Sequence, residues 1–237
     1  GGTTERLKKI EFVRIPIRLG DDAVKERKIS KDKRQVFYKA MSAFKLIMEA
    51  FEVDHYMACA TSAMREAKNG DKIVRKVKEE VGLNIHIIDG KRESELILRS
   101  IDQCFEPNKN YLTIDVGGGS TEMTVIANKK VLNSVSFDIG TVRLMDGAVS
   151  EKTWQTIEHW VTHKTVGLKN LESVVTSGTI NKISHIISNN PEEKAFTRNQ
   201  LKDFHRKVSK MSLNERIEQL KLNPDRADII DLSADIY

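Results

Sequence analysis

Long apolar runs and paired cysteines are both missing from this sequence of 237 residues. No run approaches the roughly 18 apolar residues that a membrane-spanning helix needs, and residues 1–6 contain no apolar signal segment. The two cysteines, Cys59 and Cys104, follow no metal-ligand spacing, which excludes a disulfide framework and a zinc-finger motif. We therefore expect a cytoplasmic protein without a membrane partner, in which both thiols are small core residues.

An excess of one charge is missing too, since 39 basic residues face 34 acidic ones and leave a net charge of +5. The basic residues are interspersed rather than clustered, so no specific nucleic-acid partner is expected. Two hydrolase motifs are also absent. His159 and His163 have the spacing of zinc ligands, but Trp160 stands where a zinc protease needs its glutamate base. Residues 118–122 lack the closing glycine of a serine nucleophile elbow.

The most informative segment that is present is an apolar strand, starting at Tyr111, that ends in an aspartate, three glycines and two hydroxyl residues. These residues are Asp115, Gly117, Gly118, Gly119, Ser120 and Thr121. Because the glycines have no Cβ, their backbone N–H groups can turn inward and close on an anion, to which the two hydroxyls can also donate. Asp115 can hold a divalent cation beside a bound phosphate, directly or through water.

This segment differs from the two common glycine-rich phosphate loops. A Walker A loop ends in Gly-Lys-Ser/Thr and a dinucleotide loop has a further glycine, and both lead into a helix. Here Glu122 follows the hydroxyls, and residues 121–127 alternate as a strand before a turn at Asn128 and a second β-rich run. Such a strand–loop–strand phosphate site is similar to that of the actin-like ATPase superfamily. The alternative is a glycine-rich turn that merely joins two strands.

Strands alternate with helices along the whole sequence, which predicts the α/β class. A polar break at residues 107–110 is the candidate linker, so we expect a first lobe at residues 1–107 and a second at 108–237. The predicted strands are residues 13–19, 55–61, 83–87, 111–116, 121–127, 131–139 and 172–176. The predicted helices are residues 30–51, 63–68, 71–82, 93–105, 152–166 and 178–188, with two more that open on the capping-box spacings at Thr197 and Ser212.

Three further segments could contact phosphate. Ser177, Gly178 and Thr179 join a strand to a helix, where free N–H groups and the helix dipole attract anions, although most such turns have no such function. Arg65 lies just inside another helix and could fork two phosphate oxygens, or instead form a surface ion pair with Glu66 or Glu93. Glu93 lies at the opening of a helix, but its chemistry alone would not distinguish it from the other acidic residues.

Taken together, several motifs resemble those of the exopolyphosphatase and guanosine pentaphosphate phosphatase (Ppx/GppA) family. The motifs are residues 60–70 (Ala-Thr-Ser-Ala-Met-Arg-Glu-Ala-Lys-Asn-Gly), 89–95, 114–122 (Ile-Asp-Val-Gly-Gly-Gly-Ser-Thr-Glu), 177–179 and 223–230. The resemblance implies two actin-like (ribonuclease H-like) lobes, with mixed sheets flanked by helices and a cleft between them. It also implies Mg²⁺-dependent hydrolysis of the terminal phosphoanhydride bond of polyphosphate or guanosine pentaphosphate.

The resemblance also implies roles for individual residues. Glu93 matches the glutamate that activates the attacking water, whereas Asp115 and Glu122 match acidic residues near the metal and the water. Arg65 matches an arginine that reaches the cleft. The loop from Gly117 to Thr121 and the turn from Ser177 to Thr179 match segments that cradle phosphates.

The sequence departs from the family pattern at one point. Members open with a strand and an Asp-x-Gly-Ser-Asn-Ser-like loop that faces the glycine hairpin, and this sequence starts after it. Either a preceding segment exists, or the chain cannot work at the family's rate. The alternatives to a hydrolase are therefore a non-catalytic nucleotide- or polyphosphate-binding or sensing protein, and an ATPase or kinase of the same fold. A homodimer stays open.

Overall fold

The structure, a computed structural model, describes residues 11–188 and 195–237, and it is a mixed α/β structure of sheets flanked by helices. Its strands are β1 (Ala58–Ala60), β2 (Ile85–Ile87), β3 (Asn110–Val116), β4 (Thr121–Ala127), β5 (Lys130–Phe137) and β6 (Leu171–Thr176). Its helices are α1 (Leu19–Glu26), α2 (Lys31–Ala50), α3 (Ser62–Glu66), α4 (Gly70–Val81), α5 (Gly90–Ile101), α6 (Thr141–Met145), α7 (Glu151–Lys164), α8 (Gly178–Ser188), α9 (Arg198–Val208), α10 (Leu213–Leu220), α11 (Pro224–Ala227) and α12 (Ile230–Ile236), with a 3₁₀ turn at Asp102–Cys104.

The larger sheet has four strands in the order β5-β4-β3-β6. Strands β3, β4 and β5 pair antiparallel, whereas β3 and β6 pair parallel. The glycine segment joins β3 to β4, as the sequence predicts. Asn128 and Lys129 connect β4 to β5 with φ angles of 49° and 62°, which is the two-residue turn geometry that fits the twist of a hairpin.

The smaller sheet contains β1 and β2, which pair in parallel from Ala58–Ile85 to Ala60–Ile87. Both strands are shorter than the predicted runs at 55–61 and 83–87. Helices α1, α2 and α4 pack on this side of the molecule around a core that includes Ile29, Ile73 and Val77. Helix α3 follows β1 and helix α5 follows β2. Because the two strands are parallel, both helices begin at the same end of this sheet.

The predicted strand at residues 13–19 is wrong. Residues 11–18 form no strand pairing among the described residues, and α1 begins at Leu19. The alternating apolar side chains do not form one buried face, because Ile17 and Leu19 pack against the core while Val13 and Ile15 are exposed. Alternation alone does not make a strand, since the backbone also needs a neighbouring strand, and Pro16 has no N–H to offer one.

Helix α5 begins three residues earlier than predicted, because the Asp89 side chain caps it by accepting a hydrogen bond from Arg92 N at 2.8 Å. Glu93 therefore lies in its first turn. Helix α5 packs against β4 and β5. Only a glycine allows this approach at residue 90, since a Cβ there would lie 2.5 Å from the Cβ of Ser136.

The remaining core lies around the larger sheet and the final helices. Leu112, Val125 and Ile139 centre one cluster beneath α7, and a second cluster joins α8, α9 and α12. The capping boxes predicted at Thr197 and Ser212 are both present. The expectation that both cysteines are core residues is wrong, because the free thiols of Cys59 and Cys104 are exposed. Within the described ranges, no helix combines the length and apolarity needed to cross a membrane.

Candidate active site

Three strand ends of the larger sheet bring polar side chains together. Asp115 pairs with Glu122 on β4 and with Thr176 on β6. Directly opposite residues in neighbouring strands point to the same face of a sheet, about 5 Å apart. The Thr176 hydroxyl donates a hydrogen bond to Asp115 Oδ1. Burial raises the pKa of Asp115, and this hydrogen bond opposes the rise.

Glu122 is a buried carboxylate with only 3% of its surface exposed. Its Oε1 accepts a hydrogen bond of 2.8 Å from the Ser136 hydroxyl, whereas its Oε2 has no partner within the described part of the chain. Burial raises the pKa of Glu122, against the hydroxyls of Ser136 and Ser120 and the charge of Arg65. The free oxygen makes this side chain available to a proton, a water or a cation.

Glu93 approaches the same carboxylates from α5. Arg65 Nη1 lies 3.7 Å from Glu93 Oε2 and donates a hydrogen bond of 2.6 Å to the Ile88 carbonyl oxygen. Glu93 Oε2 has no hydrogen-bond partner in the residues described. Burial, and then the negative charge of Glu122, raise the pKa of Glu93 from 4.5 to about 7, although Arg65 lowers it. A carboxylate with this pKa can act as a general base near neutral pH.

The donor set fits one mode of Mg²⁺ binding. Among residues 11–188 and 195–237, no group of three or more acidic, histidine or cysteine side chains is arranged to hold a metal by itself. Mg²⁺ is commonly held by one or two carboxylates, with water and substrate phosphate oxygens as the other ligands. Asp115 and Glu122 fit this mode, in which one or two carboxylates are completed by water and phosphate, because they are paired across β3 and β4 and Glu122 Oε2 has no partner among the described residues.

The backbone of the glycine loop turns its carbonyl groups toward α6. The carbonyl oxygens of Gly117 and Gly118 accept hydrogen bonds from Thr141 N at 3.1 Å and Val142 N at 2.9 Å. The oxygen of Gly119 accepts one from Arg143 Nε at 2.6 Å. In a trans peptide the N–H points opposite to the preceding carbonyl. The N–H groups of residues 118–120 therefore point away from α6.

Only the first amide of the loop is used within the loop itself, since Gly117 N donates to Ser120 O at 2.9 Å. The described part of the chain contains no backbone acceptor for the N–H groups of Gly118, Gly119 and Ser120. The Thr121 hydroxyl, in contrast, is occupied. Thr121 is fully buried and donates to the Ile139 carbonyl oxygen at 2.8 Å, and the Ser120 hydroxyl faces Glu122. The loop therefore offers an anion its amides rather than the Thr121 hydroxyl.

A cavity of about 650 Å³ opens beside this loop. Its wall includes Gly117 to Gly119, Ser177 to Thr179, Thr61, Ser62, Glu66 and Arg226. The two segments predicted to cradle phosphate thus face one space, at the N-terminal end of α8. The carboxylates of Glu93, Asp115 and Glu122 do not line this cavity. Thr61 does line it, and its side chain lies close enough to Glu93 for a hydrogen bond.

Several residues that support the glycine loop or the turn from Ser177 to Thr179 were not singled out from the sequence. Arg143 bonds both Gly119 and the Glu66 carboxylate, which joins the loop to α3. Gly140 is required by close approach, because a Cβ there would lie 2.5 Å from the Gly118 carbonyl. Arg226 donates to the Gly178 carbonyl oxygen. All three residues act through contacts with residues distant in sequence, which local patterns do not predict. Only Arg226 lies in a segment that was identified from the sequence, at residues 223–230.

Comparison with known proteins gives a consistent result. The sequence model of the Ppx/GppA phosphatase family matches residues 7–236. Exopolyphosphatase 1 of Mycobacterium leprae is 25% identical over 221 residues, which cover 84% of this chain and 65% of the relative. The guanosine-5'-triphosphate,3'-diphosphate pyrophosphatase of Aliivibrio fischeri is 23% identical over 151 residues, which cover 64% of this chain and 30% of the relative. The chain thus spans less than two thirds of the length of both relatives.

Solved structures agree with the fold. An exopolyphosphatase from Cytophaga hutchinsonii superposes with a TM-score of 0.75 at 23% identity, covering 93% of this chain and 78% of that one. A Ppx/GppA family member from Aquifex aeolicus superposes with a TM-score of 0.70 at 23% identity, covering 93% and 77%. These similarities confirm the predicted actin-like α/β fold.

Proposed function

Because the chain belongs to the Ppx/GppA phosphatase family, we propose that it hydrolyses the terminal phosphoanhydride bond of inorganic polyphosphate or guanosine pentaphosphate, with Mg²⁺ as cofactor. The observation that carries the proposal is Glu93, whose partly buried carboxylate has a pKa of about 7 and lies beside Glu122 and Asp115. The names of the M. leprae and A. fischeri relatives, an exopolyphosphatase and a guanosine polyphosphate pyrophosphatase, support the substrate class.

We place the two lobes at residues 1–107 and 108–237, with the site between them. The first lobe contributes Arg65 and Glu93, and the second contributes Asp115, Glu122 and the glycine loop. The contact of α5 with β4 and β5 brings the two groups together. A site divided in this way has its base on one lobe and most of its phosphate donors on the other.

Backbone amides provide most of the phosphate-binding groups in this proposal. The N–H groups at residues 118–120, which have no backbone acceptor within the described residues, and those at the start of α8 would bind the anion, and the dipole of α8 would add to the attraction. Asp115 and Glu122 would hold Mg²⁺ together with water and phosphate oxygens, where the ion would neutralise charge on the phosphoryl group. Phosphoryl transfer requires mainly this positioning and charge neutralisation.

The ionised Glu93 then accepts a proton from the attacking water. The water oxygen forms a bond to the terminal phosphorus as the bridging P–O bond breaks, and the shortened chain leaves with the electron pair of that bond. Arg65, 3.7 Å from Glu93 Oε2, keeps the carboxylate oriented. No side-chain nucleophile is needed, so no covalent intermediate forms.

The test is phosphate release from long-chain polyphosphate, guanosine pentaphosphate and ATP, each with Mg²⁺ and with EDTA. Release from either of the first two, dependent on Mg²⁺ and faster than from ATP, is the expected result. Release from ATP alone would instead indicate an ATPase or kinase, and release from none would indicate a binding or sensing protein. Either of these two outcomes overturns the proposal.

A further inference from the structure

The phenol of Tyr237, which follows α12, reaches the end of β6 beside the site. Its oxygen lies 2.6 Å from the Thr176 carbonyl oxygen and 3.0 Å from Ser177 Oγ. Ser177 Oγ in turn accepts a hydrogen bond from Ile180 N at 3.1 Å, in the first turn of α8. The side chain of Thr176 bonds Asp115. One phenol thus contacts the segment that carries both the partner of Asp115 and the phosphate-facing turn.

Only one arrangement of protons satisfies these contacts. A carbonyl oxygen can only accept, so the single phenol proton is donated to Thr176 O. The Ser177 hydroxyl, whose oxygen already accepts from Ile180 N, can then donate to the phenol oxygen. Burial raises the pKa of Tyr237 far above the physiological range, which keeps this proton in place. The Ser177 hydroxyl is consequently directed at the phenol, and the amides of Gly178 and Thr179 are the backbone donors that the turn presents at the start of α8.

The ring of Tyr237 is anchored independently of its hydroxyl. It packs against the cluster under the larger sheet and against the cluster of α8, α9 and α12. An aromatic ring held between two cores is a fixed support for its hydroxyl. Removal of the oxygen alone therefore leaves the ring in place and removes the contacts of the phenol with Thr176, Ser177 and the Val116 backbone.

We propose that Tyr237 is a positioning residue of this site: its phenol holds the backbone at Thr176 and Ser177 so that the amides of Gly178 and Thr179 and the Asp115 carboxylate keep their places. The significance of this for phosphate binding rests on the proposed function. The effect on the turn itself does not, since it follows from the hydrogen bonds of the free protein.

The experiment compares Tyr237→Phe with Tyr111→Phe. Tyr111 is a matched control, because it is buried, its phenol accepts a hydrogen bond from Glu106 N at 3.1 Å, and it lies on β3 at the end opposite Asp115. Amide hydrogen exchange of residues 174–181 is measured without ligand. Tripolyphosphate binding is measured by calorimetry in EDTA, which prevents turnover, and melting temperatures are recorded for all three proteins.

We expect exchange at residues 176–180 to rise about tenfold in Tyr237→Phe, and tripolyphosphate affinity to fall about three- to tenfold, the factor that one lost hydrogen bond gives. Tyr111→Phe should change neither quantity, even if its melting temperature falls as much. Unchanged exchange in Tyr237→Phe would overturn the inference, as would faster exchange with unchanged affinity. If the wild-type protein binds no tripolyphosphate, the phosphate site is wrong and the role in the turn is decided by the exchange data alone.

Discussion

Replacement of Glu93 by Gln should nearly abolish turnover and at the same time stabilise the fold. Gln keeps the size of the side chain but cannot accept the proton of the attacking water. Loss of a general base costs about 10² to 10⁴ in rate, which corresponds to roughly 3 to 5 kcal/mol of transition-state stabilisation.

The gain in stability follows from the raised pKa of Glu93. Below pH 4.5 the side chain is protonated in both the folded and the unfolded state. Between 4.5 and about 7 the unfolded chain ionises while the folded one does not, so the wild-type protein loses stability as the pH rises. This difference in pKa amounts to on the order of 3 kcal/mol. Gln, which does not titrate, avoids the loss.

The assay pairs phosphate release in Mg²⁺ at pH 8 with thermal unfolding in EDTA at pH 5 and pH 8. At pH 8 the melting temperature of Glu93→Gln should exceed that of the wild type by up to about 10 °C, and the difference should shrink at pH 5. Glu95→Gln is the control, because Glu95 lies on the same helix and is exposed, paired with Arg92. A Glu93→Gln protein that releases phosphate at the wild-type rate, or that melts lower than wild type at pH 8, would refute this reasoning.

Three other predictions concern the same site. The rate of the wild-type protein should fall as the pH is lowered through the pKa of Glu93, and this acidic limb should be absent from the residual rate of Glu93→Gln; an unchanged limb would assign it to another group. Asp115→Asn should raise the Mg²⁺ concentration needed for half-maximal phosphate release about tenfold or more, and an unchanged requirement would exclude Asp115 as a ligand. Gly140→Ala should lower the free energy of unfolding by about 1 to 3 kcal/mol and weaken tripolyphosphate binding, because its Cβ would meet the Gly118 carbonyl at 2.5 Å. Gly20→Ala, whose Cβ would lie 3.5 Å from Val142, should do neither in the same denaturation and calorimetry series.

The glycine hairpin could be predicted from the sequence because its signals are local. Strand alternation, three glycines and the turn at Asn128 all lie within one short segment, and the structure reproduces it as β3, β4 and β5. The strand predicted at residues 13–19 failed for the opposite reason. Its apolar residues do alternate in the sequence, but the pairing that makes a strand depends on a neighbouring strand that the local sequence does not specify.

The raised pKa values of the site could not be predicted from the local sequence either. Glu93 is one of 34 acidic residues, and nothing adjacent to it in sequence raises its pKa. Resemblance to a family identified it, whereas the physical causes of its raised pKa are burial and then the negative charge of Glu122 on β4. The surroundings of the Ser120 and Thr121 hydroxyls could not be predicted for the same reason. Glu122 comes to lie near the Ser120 hydroxyl, and Ile139 O accepts from that of Thr121, only after the hairpin folds.

Because the raised pKa of Glu93 depends on packing, the strength of this base depends on the contact of α5 with β4 and β5. Both main causes of its raised pKa, burial and the charge of Glu122, exist because α5 packs against β4 and β5. If that contact opened, water would return to the carboxylate and its pKa would fall toward 4.5, which would make it a weaker base. With the contact closed, a pKa of about 7 leaves the side chain roughly half ionised at pH 7 and a stronger proton acceptor. The close approach that only glycine permits at residue 90 therefore contributes to the chemistry as well as to the packing.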